Sequence, residues 1–150
     1  MKYLILLAVM FISVSFVKAQ SEQDSTQVIQ NTEKTKPSAE QLYSKGNYNI
    51  NKGKFEDALK NFNDALLIDS SFYRAYHGRG TAELSLSMFK EAIKDYTHAI
   101  TFKFNFAEAF YARGIAKLAI GDNDGACRDF HQAHDFNLKE ALDMMDQYCR

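Results

Sequence analysis

Two histidines near the C-terminus are the residues whose spacing comes closest to that of a metal site. His131 and His134 are three positions apart, so a helix would place both on one face. A bound metal needs three or four converging ligands, and only Asp135 and His98 are candidates to join them. The sequence therefore predicts no metal site, and it contains no motif that would hold a cofactor.

The stretch Gly121–Gly125 reads Gly-Asp-Asn-Asp-Gly and resembles part of a calcium-binding loop. The first carboxylate of such a loop would fall on Ile120, and the terminal glutamate is missing, so an EF-hand does not fit. A tight turn in which Asp122 or Asn123 caps the next helix fits better. The chain also has no nucleophile elbow, phosphate loop or paired carboxylates in a glycine-rich setting. We therefore predict a protein that is not an enzyme.

The N-terminus has the three parts of a secretory signal peptide. Lys2 is basic, Tyr3–Val17 is almost entirely apolar, and Val17-Lys18-Ala19 puts small residues at the positions that signal peptidase inspects. We predict cleavage after Ala19 and export to the periplasm or out of the cell. The alternative is an uncut membrane anchor, but the apolar run is shorter than the ~20 residues that a span needs. No stable membrane insertion is expected after cleavage.

The rest of the chain has the composition of one soluble domain, with 46% hydrophobic and 25% charged residues among 150. Its formal net charge is −1, which argues against a nucleic-acid partner. Residues 20–37 are mostly Ser, Gln, Thr, Glu and Lys, and we predict a disordered linker there. Pro37 is the only proline and Ser38 is a suitable N-cap, so the folded domain is predicted to span 38–150.

Within that domain, small and aromatic residues recur every 34 positions. The recurring sets are Gly46, Gly80 and Gly114; Ala58, Ala92 and Ala126; Phe62, Tyr96 and Phe130; and Ala65, Ala99 and Ala133. The apolar spacing is helical and breaks midway through each unit, at Gly53, Ser87 and Gly121. Each unit is therefore predicted to be two helices that cannot bury their apolar faces alone and must stack on neighbours. The predicted helices are 38–51, 54–67, 72–85, 88–101, 106–119, 122–135 and 138–149.

This arrangement resembles the tetratricopeptide repeat family, with repeats at 39–72, 73–106 and 107–138 and a capping helix at 138–149. The resemblance implies an all-α, right-handed solenoid. Two of the columns at which the chain departs from the family pattern lie on the first helices. The leucine before the glycine is replaced by Lys45, Arg79 and Arg113, and the tyrosine three places after it by Asn49, Glu83 and Lys117.

Cys127 and Cys149 are the only cysteines, and their helices should run antiparallel about a turn near Asn137. One cysteine lies ten residues before that turn and the other twelve after it, so they should be roughly level. Because an exported chain lives where disulfides persist, we predict that the two are bonded and that the bond holds the capping helix. The alternative is two buried thiols in a reducing compartment.

Three phenylalanines alternate through the connection between repeats two and three. We predict that Phe102, Phe104 and Phe106 fill the gap between the repeats, where the family's proline is missing. The alternative is that they form an exposed contact patch.

The family resemblance also implies a concave face, lined by the first helix of each repeat, that binds an extended peptide or a partner's helix. The positions carried over are Tyr43, Asn47, Arg74, His77, Thr81, Glu108 and Tyr111. Some members grip a terminal carboxylate, and the matching positions here are Tyr43, Asn47, Gly78, Glu108 and Ala112. Only Asn47 fits, so no such clamp is expected. The predicted function is an exported scaffold or adaptor with a protein or peptide partner; the alternative is a structural protein that self-associates as a homo-oligomer.

Overall fold

The computed structural model describes residues 36–149, which form one compact unit from Pro37 onward and contain no strand. The predicted signal peptide and most of the predicted linker lie outside these residues. Seven helices follow one another: α1 (Ala39–Asn51), α2 (Phe55–Ile68), α3 (Tyr73–Ser85), α4 (Phe89–Phe102), α5 (Ala107–Ala119), α6 (Asn123–Asp135) and α7 (Ala141–Tyr148). The all-α solenoid predicted from the sequence is confirmed.

Local sequence explains where these helices begin and end. Ser38 accepts a hydrogen bond from the amide of Gln41, whose side chain in turn accepts one from the amide of Ser38, which completes a capping box. The turns inside the three repeats place Gly53, Ser87 and Gly121 at positive φ (69°, 61° and 83°). Glycine adopts this conformation freely, and in repeat two Ser87 adopts it instead, so the predicted breaks coincide with the places where the backbone reverses.

The helices pack as three antiparallel pairs, α1 with α2, α3 with α4 and α5 with α6, and each pair stacks on the next. The first helices also contact each other directly, α1 with α3 and α3 with α5. Because the first helices of successive repeats come close together, they form the inner side of the curve. The face that they present is therefore the concave face of the described residues.

The recurring columns build the core between these helices. All six alanines of the Ala58 and Ala65 columns are fully buried, and so are the three rings Phe62, Tyr96 and Phe130. A Cβ atom on Gly46 would lie 2.5 Å from the Phe62 ring, and one on Gly78 would lie 2.6 Å from it. Phe62 thus occupies the space between repeats one and two, and glycine is required on both sides of it.

The columns that depart from the family pattern form a polar layer around a buried aspartate in repeats two and three, whereas Lys45 of repeat one is exposed. Arg79 donates two hydrogen bonds to Asp95 at 2.6 and 2.8 Å. One repeat later, Arg113 donates two to Asp129 at 2.9 and 2.7 Å, and Lys117 adds a third contact to Asp129 at 2.8 Å. Both aspartates are buried, so bidentate pairing replaces the water that they lose. The replacement of the family's leucine by arginine is explained by these aspartates.

The middle repeat carries an extra buried acid. Glu83 occupies the position of Asn49 and Lys117 in the other repeats, and it lies beside the Arg79–Asp95 pair. One of its carboxyl oxygens, Oε2, has no hydrogen-bond partner among the described residues. Burial, reinforced by the adjacent Asp95, raises the pKa of Glu83 from its ordinary 4.5 to about 8. Glu83 is therefore a neutral acid at pH 7.

The capping helix is shorter than predicted. α7 begins at Ala141 and ends at Tyr148, because the chain makes a further turn in which Ala141 donates to the carbonyl of Leu138. Asn137 has φ 70° and reverses the chain at the predicted place. Cys127 and Cys149 are joined by a disulfide with their Cα atoms 5.5 Å apart, as predicted. Ala141 is fully buried against α6, and the disulfide fastens the other end of α7.

The prediction for the three phenylalanines holds for only one of them. Phe106 packs between repeats, with its ring 5.2 Å from that of Tyr73 and 4.9 Å from that of His77. Phe102 and Phe104 remain largely exposed, so the gap-filling prediction is wrong for them. Phe102 instead stacks on Tyr76 at 5.8 Å, and the ring of Phe104 lies 6.4 Å from that of Phe136.

Candidate functional site: the concave face

An aromatic column runs along the concave face at the repeat period. Tyr43, His77 and Tyr111 each lie on the first helix of a repeat and are half-buried. Each packs against the core ring of its own repeat, with centroid distances of 6.0 Å to Phe62, 5.6 Å to Tyr96 and 5.7 Å to Phe130, respectively. One side of every ring is thus fixed by the core, and each ring stays partly exposed at the surface.

At the first end of this face, Arg74 is held over aromatic rings. Its guanidinium carbon lies 5.2 Å from the ring centroids of both Tyr43 and Phe72, and its Nη2 is 2.9 Å from a carboxylate oxygen of Glu40. Stacking of this kind and a neighbouring carboxylate restrict the side chain without burying it. The structure therefore brings Tyr43 and Arg74 together from successive repeats, and the charged head stays exposed.

In the middle of the face, His77 lies between repeats two and three. Its ring is 4.9 Å from that of Phe106, and Glu108 is near enough to interact with it. Burial lowers the pKa of His77, and Glu108 offsets this only in part. Thr81 lies one turn further along α3, where its hydroxyl donates to the carbonyl of His77 at 2.9 Å. His77 is therefore neutral at pH 7 and offers one hydrogen-bond donor and one acceptor.

The remaining predicted residues lie further apart. Tyr111 is on α5 at the far end, next to the cluster that α7 covers. Asn47 is half-buried one turn after Tyr43 on α1. The predicted residues thus form two groups. In the first, Tyr43 contacts Arg74; in the second, His77 lies near Thr81 and Glu108. Asn47 and Tyr111 lie toward the two ends of the face.

Two aromatic residues of this face were missed by the sequence reasoning. Phe72 and Phe106 immediately precede α3 and α5, 34 residues apart, and each packs on the column residue of the preceding repeat. Phe72 lies 5.2 Å from Tyr43, and Phe106 lies 4.9 Å from His77. Their shared period was visible in the sequence. It could have shown that an aromatic residue closes each repeat junction on the concave side.

The positions that a carboxylate clamp would use have a different role here. Gly78 is in close contact with the Phe62 ring, and Ala112 packs against the cluster around Tyr96. Neither can donate a hydrogen bond from its side chain, and Glu108 would repel a carboxylate. The concave face therefore has no clamp for a terminal carboxylate at these positions.

Other candidate groups lie away from this face. An open polar cavity of about 460 Å³ adjoins the disulfide and is lined by Asn123, Asp124, Cys127, His131, Tyr148 and Cys149. His98 stacks on Tyr76 at 5.0 Å, on the other side of the repeat. Asp122 caps α6 by accepting from the amide of Gly125 at 2.9 Å, which confirms the turn predicted there. No helix between residues 36 and 149 is long and apolar enough to cross a membrane.

A family model described as tetratricopeptide repeat matches residues 39–72 and 73–106. The chain carries tetratricopeptide repeats. Residues 107–138 lie beyond the matched range, but they contain the same helix pair, the same buried alanines and the same central ring as the two matched repeats. The search of curated proteins finds no match.

Solved structures, among them tetratricopeptide-repeat domains, have the same architecture. The first such domain of Spaghetti (RPAP3), bound to the HSP90 peptide SRMEEVD, superposes with a TM-score of 0.72 at 23% identity over 74% of this chain and 90% of that one. The second domain of human RPAP3, in complex with the HSP70 peptide SGPTIEEVD, superposes with a TM-score of 0.71 at 25% identity, over 75% of this chain and 95% of that one. PcrH from Pseudomonas aeruginosa also superposes with a TM-score of 0.71 at 25% identity, over 75% of this chain and 92% of that one.

Proposed function

We propose that this protein is a non-enzymatic interaction module that binds a peptide or a helix of a protein partner on its concave face. The observation that supports this most is the column formed by Tyr43, His77 and Tyr111. The core orders each ring and leaves part of it exposed. Rings that are already ordered lose little conformational entropy when a partner covers them.

The charges beside this column indicate how a partner would be oriented. Arg74 is exposed near the first end, and Glu108 is exposed on α5 beyond the middle. A bound segment with an acidic residue toward the first repeat and a basic residue toward the third would match both. The solved relatives include domains bound to the peptides SRMEEVD and SGPTIEEVD and a PcrH complex with a region of PopD. These support a peptide ligand in general, but the missing clamp argues against recognition of a terminal carboxylate.

We also propose that the protein acts after export, in the periplasm or outside the cell, once residues 1–19 have been removed. The basic, apolar and small-residue segments of the N-terminus support this proposal. The disulfide is consistent with it, because such bonds persist in oxidising compartments. N-terminal sequencing of the protein recovered from its native host tests the proposal: a chain beginning at Gln20 is expected, and one beginning at Met1 would contradict it.

A pull-down from the native host tests the binding face. Arg74→Glu reverses an exposed charge on the concave side, whereas Lys60→Glu makes the same reversal at an exposed position on α2, outside the face. We expect the first variant to lose the partner and the second to retain it. Equal recovery by both would contradict the proposal. Charge reversal is preferable to truncating Tyr43 and Tyr111, since each also contributes packing against the core.

A further inference from the structure

The disulfide between Cys127 and Cys149 adjoins the open polar cavity of about 460 Å³ between α6 and the end of α7. Both cysteines line this cavity, and both are only half-buried. Small-molecule sites begin at about 300 Å³, so the cavity has room for a small thiol or for the cysteine side chain of another protein. The cavity therefore gives a thiol a route to the bond, whereas a disulfide enclosed by a core is protected from thiols.

The wall of the cavity also carries a proton donor. His131 follows Cys127 by one turn of α6, so the two side chains share one face of the helix, and both line the cavity. Asp124, one turn before Cys127, lines it too and disfavours a negative charge on the sulfur. A departing Cys127 thiolate therefore needs a proton, and the exposed imidazole of His131 is placed to donate one.

The two ends of α7 are fastened by different means. Ala141 at its start is fully buried against α6, and the disulfide holds Cys149 just after its end. Between these points, Met144 and Met145 pack half-buried against the cluster around Phe130. A helix of 8 residues is too short to be stable by itself, so the end of α7 depends on the disulfide.

The cluster beneath α7 extends to the concave face. Tyr111, the third ring of the aromatic column, packs against the same buried residues as the two methionines, and its ring lies 5.7 Å from that of Phe130. Release of α7 would remove packing from the cluster that orders Tyr111. Tyr43 and His77 pack against the core rings of other repeats, so the change would be confined to the third repeat.

We propose that Cys127 and Cys149 form a thiol–disulfide exchange site whose ligand is a dithiol reductant. One thiolate of the reductant attacks the sulfur of Cys149 and breaks the S–S bond, and Cys127 leaves as a thiolate that takes a proton from His131. The second thiol of the reductant then attacks the reductant's own sulfur in the mixed disulfide, and Cys149 leaves as a thiolate that takes a proton from solvent. The reductant loses two electrons and two protons and becomes a disulfide, while this protein gains two thiols.

Reduction at this site releases the end of α7 and loosens Tyr111. The disulfide is thus a latch, which is closed in the oxidised protein and open in the reduced one. A further consequence rests on the proposed function: the oxidised form should bind a partner more tightly than the reduced form, because an ordered ring loses less conformational entropy on binding.

The rate at which dithiothreitol reduces the disulfide tests the exchange site. The oxidised chain from Gln20 to Arg150, which contains the whole compact unit, is treated in native buffer and in concentrated urea, and the trapped thiols are counted by mass spectrometry. Because access limits exchange in a folded protein, we expect the native rate to lie within about tenfold of the rate in urea. Stronger protection would show that the bond is enclosed, and would overturn the proposal.

A pair of histidine variants tests the role of the cavity wall. His131→Leu should slow reduction of the folded protein at least about fivefold, since the departing thiolate loses its proton donor. His134→Leu is the matched control, because His134 is exposed on the same helix but does not line the cavity. Its rate should equal that of the wild type, and all three proteins should react equally in urea. Equal native rates for the two variants would overturn the assignment of His131.

Hydrogen exchange and a fluorine label test the latch without any partner. We expect reduction to speed amide exchange in α7 at least about tenfold while α1–α4 stay unchanged. The ¹⁹F resonance of a fluorotyrosine at position 111 should shift, and that of the same label at position 43 should not. An unchanged α7, or lost protection throughout the domain, would overturn the latch. If Tyr111 shifts but pull-downs in both redox states recover the partner equally, the regulation of binding is wrong and the exchange site stands.

Discussion

Raising the pH should destabilise the protein through a single buried carboxyl group. The folded-state pKa of Glu83 is about 8, whereas the unfolded chain has the ordinary value of 4.5. Its neutral form is the one that the fold accommodates, so the stabilisation is complete below pH 4.5 and is lost as the pH rises through 8. Between pH 6 and pH 9 the free energy of unfolding should fall by about 2–3 kcal/mol. For a domain of this size, that corresponds to a lowering of Tm by about 10 °C.

The physical cause is the arrangement around the carboxyl group. Glu83 is buried next to Asp95 and has one unpaired oxygen, so ionisation would place two carboxylates side by side with only Arg79 to offset them. Glu83→Gln keeps the shape and removes the charge, and Glu83→Lys reproduces repeat three, where Lys117 lies 2.8 Å from Asp129. Both variants should therefore be less sensitive to alkaline pH than the wild type.

Thermal unfolding followed by circular dichroism at 222 nm, at pH 6, 7, 8 and 9 with the disulfide intact, measures the effect. The decisive quantity is the difference between the wild type and Glu83→Gln in how their Tm depends on pH, because groups other than Glu83 titrate equally in both. Parallel curves for the two proteins would refute the reasoning. A direct check is the ¹³C chemical shift of the Glu83 carboxyl, which should titrate near pH 8.

Three further predictions follow from the core and the cap. Gly78→Ala should cost about 1–3 kcal/mol in urea unfolding, since the new Cβ would meet the Phe62 ring at 2.6 Å; an unchanged midpoint would show that the ring can move. Cys149→Ser should cost about 3 kcal/mol and raise amide exchange in α7 first, and uniform exchange across the domain would contradict a role in the cap. Asp129→Asn should cost about 3 kcal/mol by leaving two half-buried cations without their carboxylate, and a cost below about 1 kcal/mol in the same assay would argue against that pairing.

The sequence predicted the helix pairs and their packing because both leave a periodic record. A 34-residue spacing of Gly80, Ala92, Tyr96 and Ala99 with their equivalents can be satisfied only by stacked helices in close contact, and the structure has that packing. The disulfide followed from the same register. The length of the capping helix could not be predicted, because the start of α7 depends on a turn at 138–140 that carries no glycine or proline.

The surface was harder to predict because solvent exposure imposes no pattern. Phe102 and Phe104 are apolar like core residues, and nothing local distinguishes them from Phe106, which is half-buried. The buried Arg79–Asp95 and Arg113–Asp129 pairs were missed for a related reason. Charged residues in a helical sequence are assigned to solvent by default, and only the geometry of two facing helices reveals that they meet.

Site-specific photocrosslinking tests the proposed binding face most directly. A benzoylphenylalanine introduced at Arg74 or at Glu108 places the reactive group on the concave side, and the same residue introduced at Lys60 on α2 is the outer control. In cells of the native host, we predict that both concave positions capture one common protein and that the outer position does not. Capture at Lys60 with none at Arg74 and Glu108, or an identical set of products from all three, would contradict the central claim.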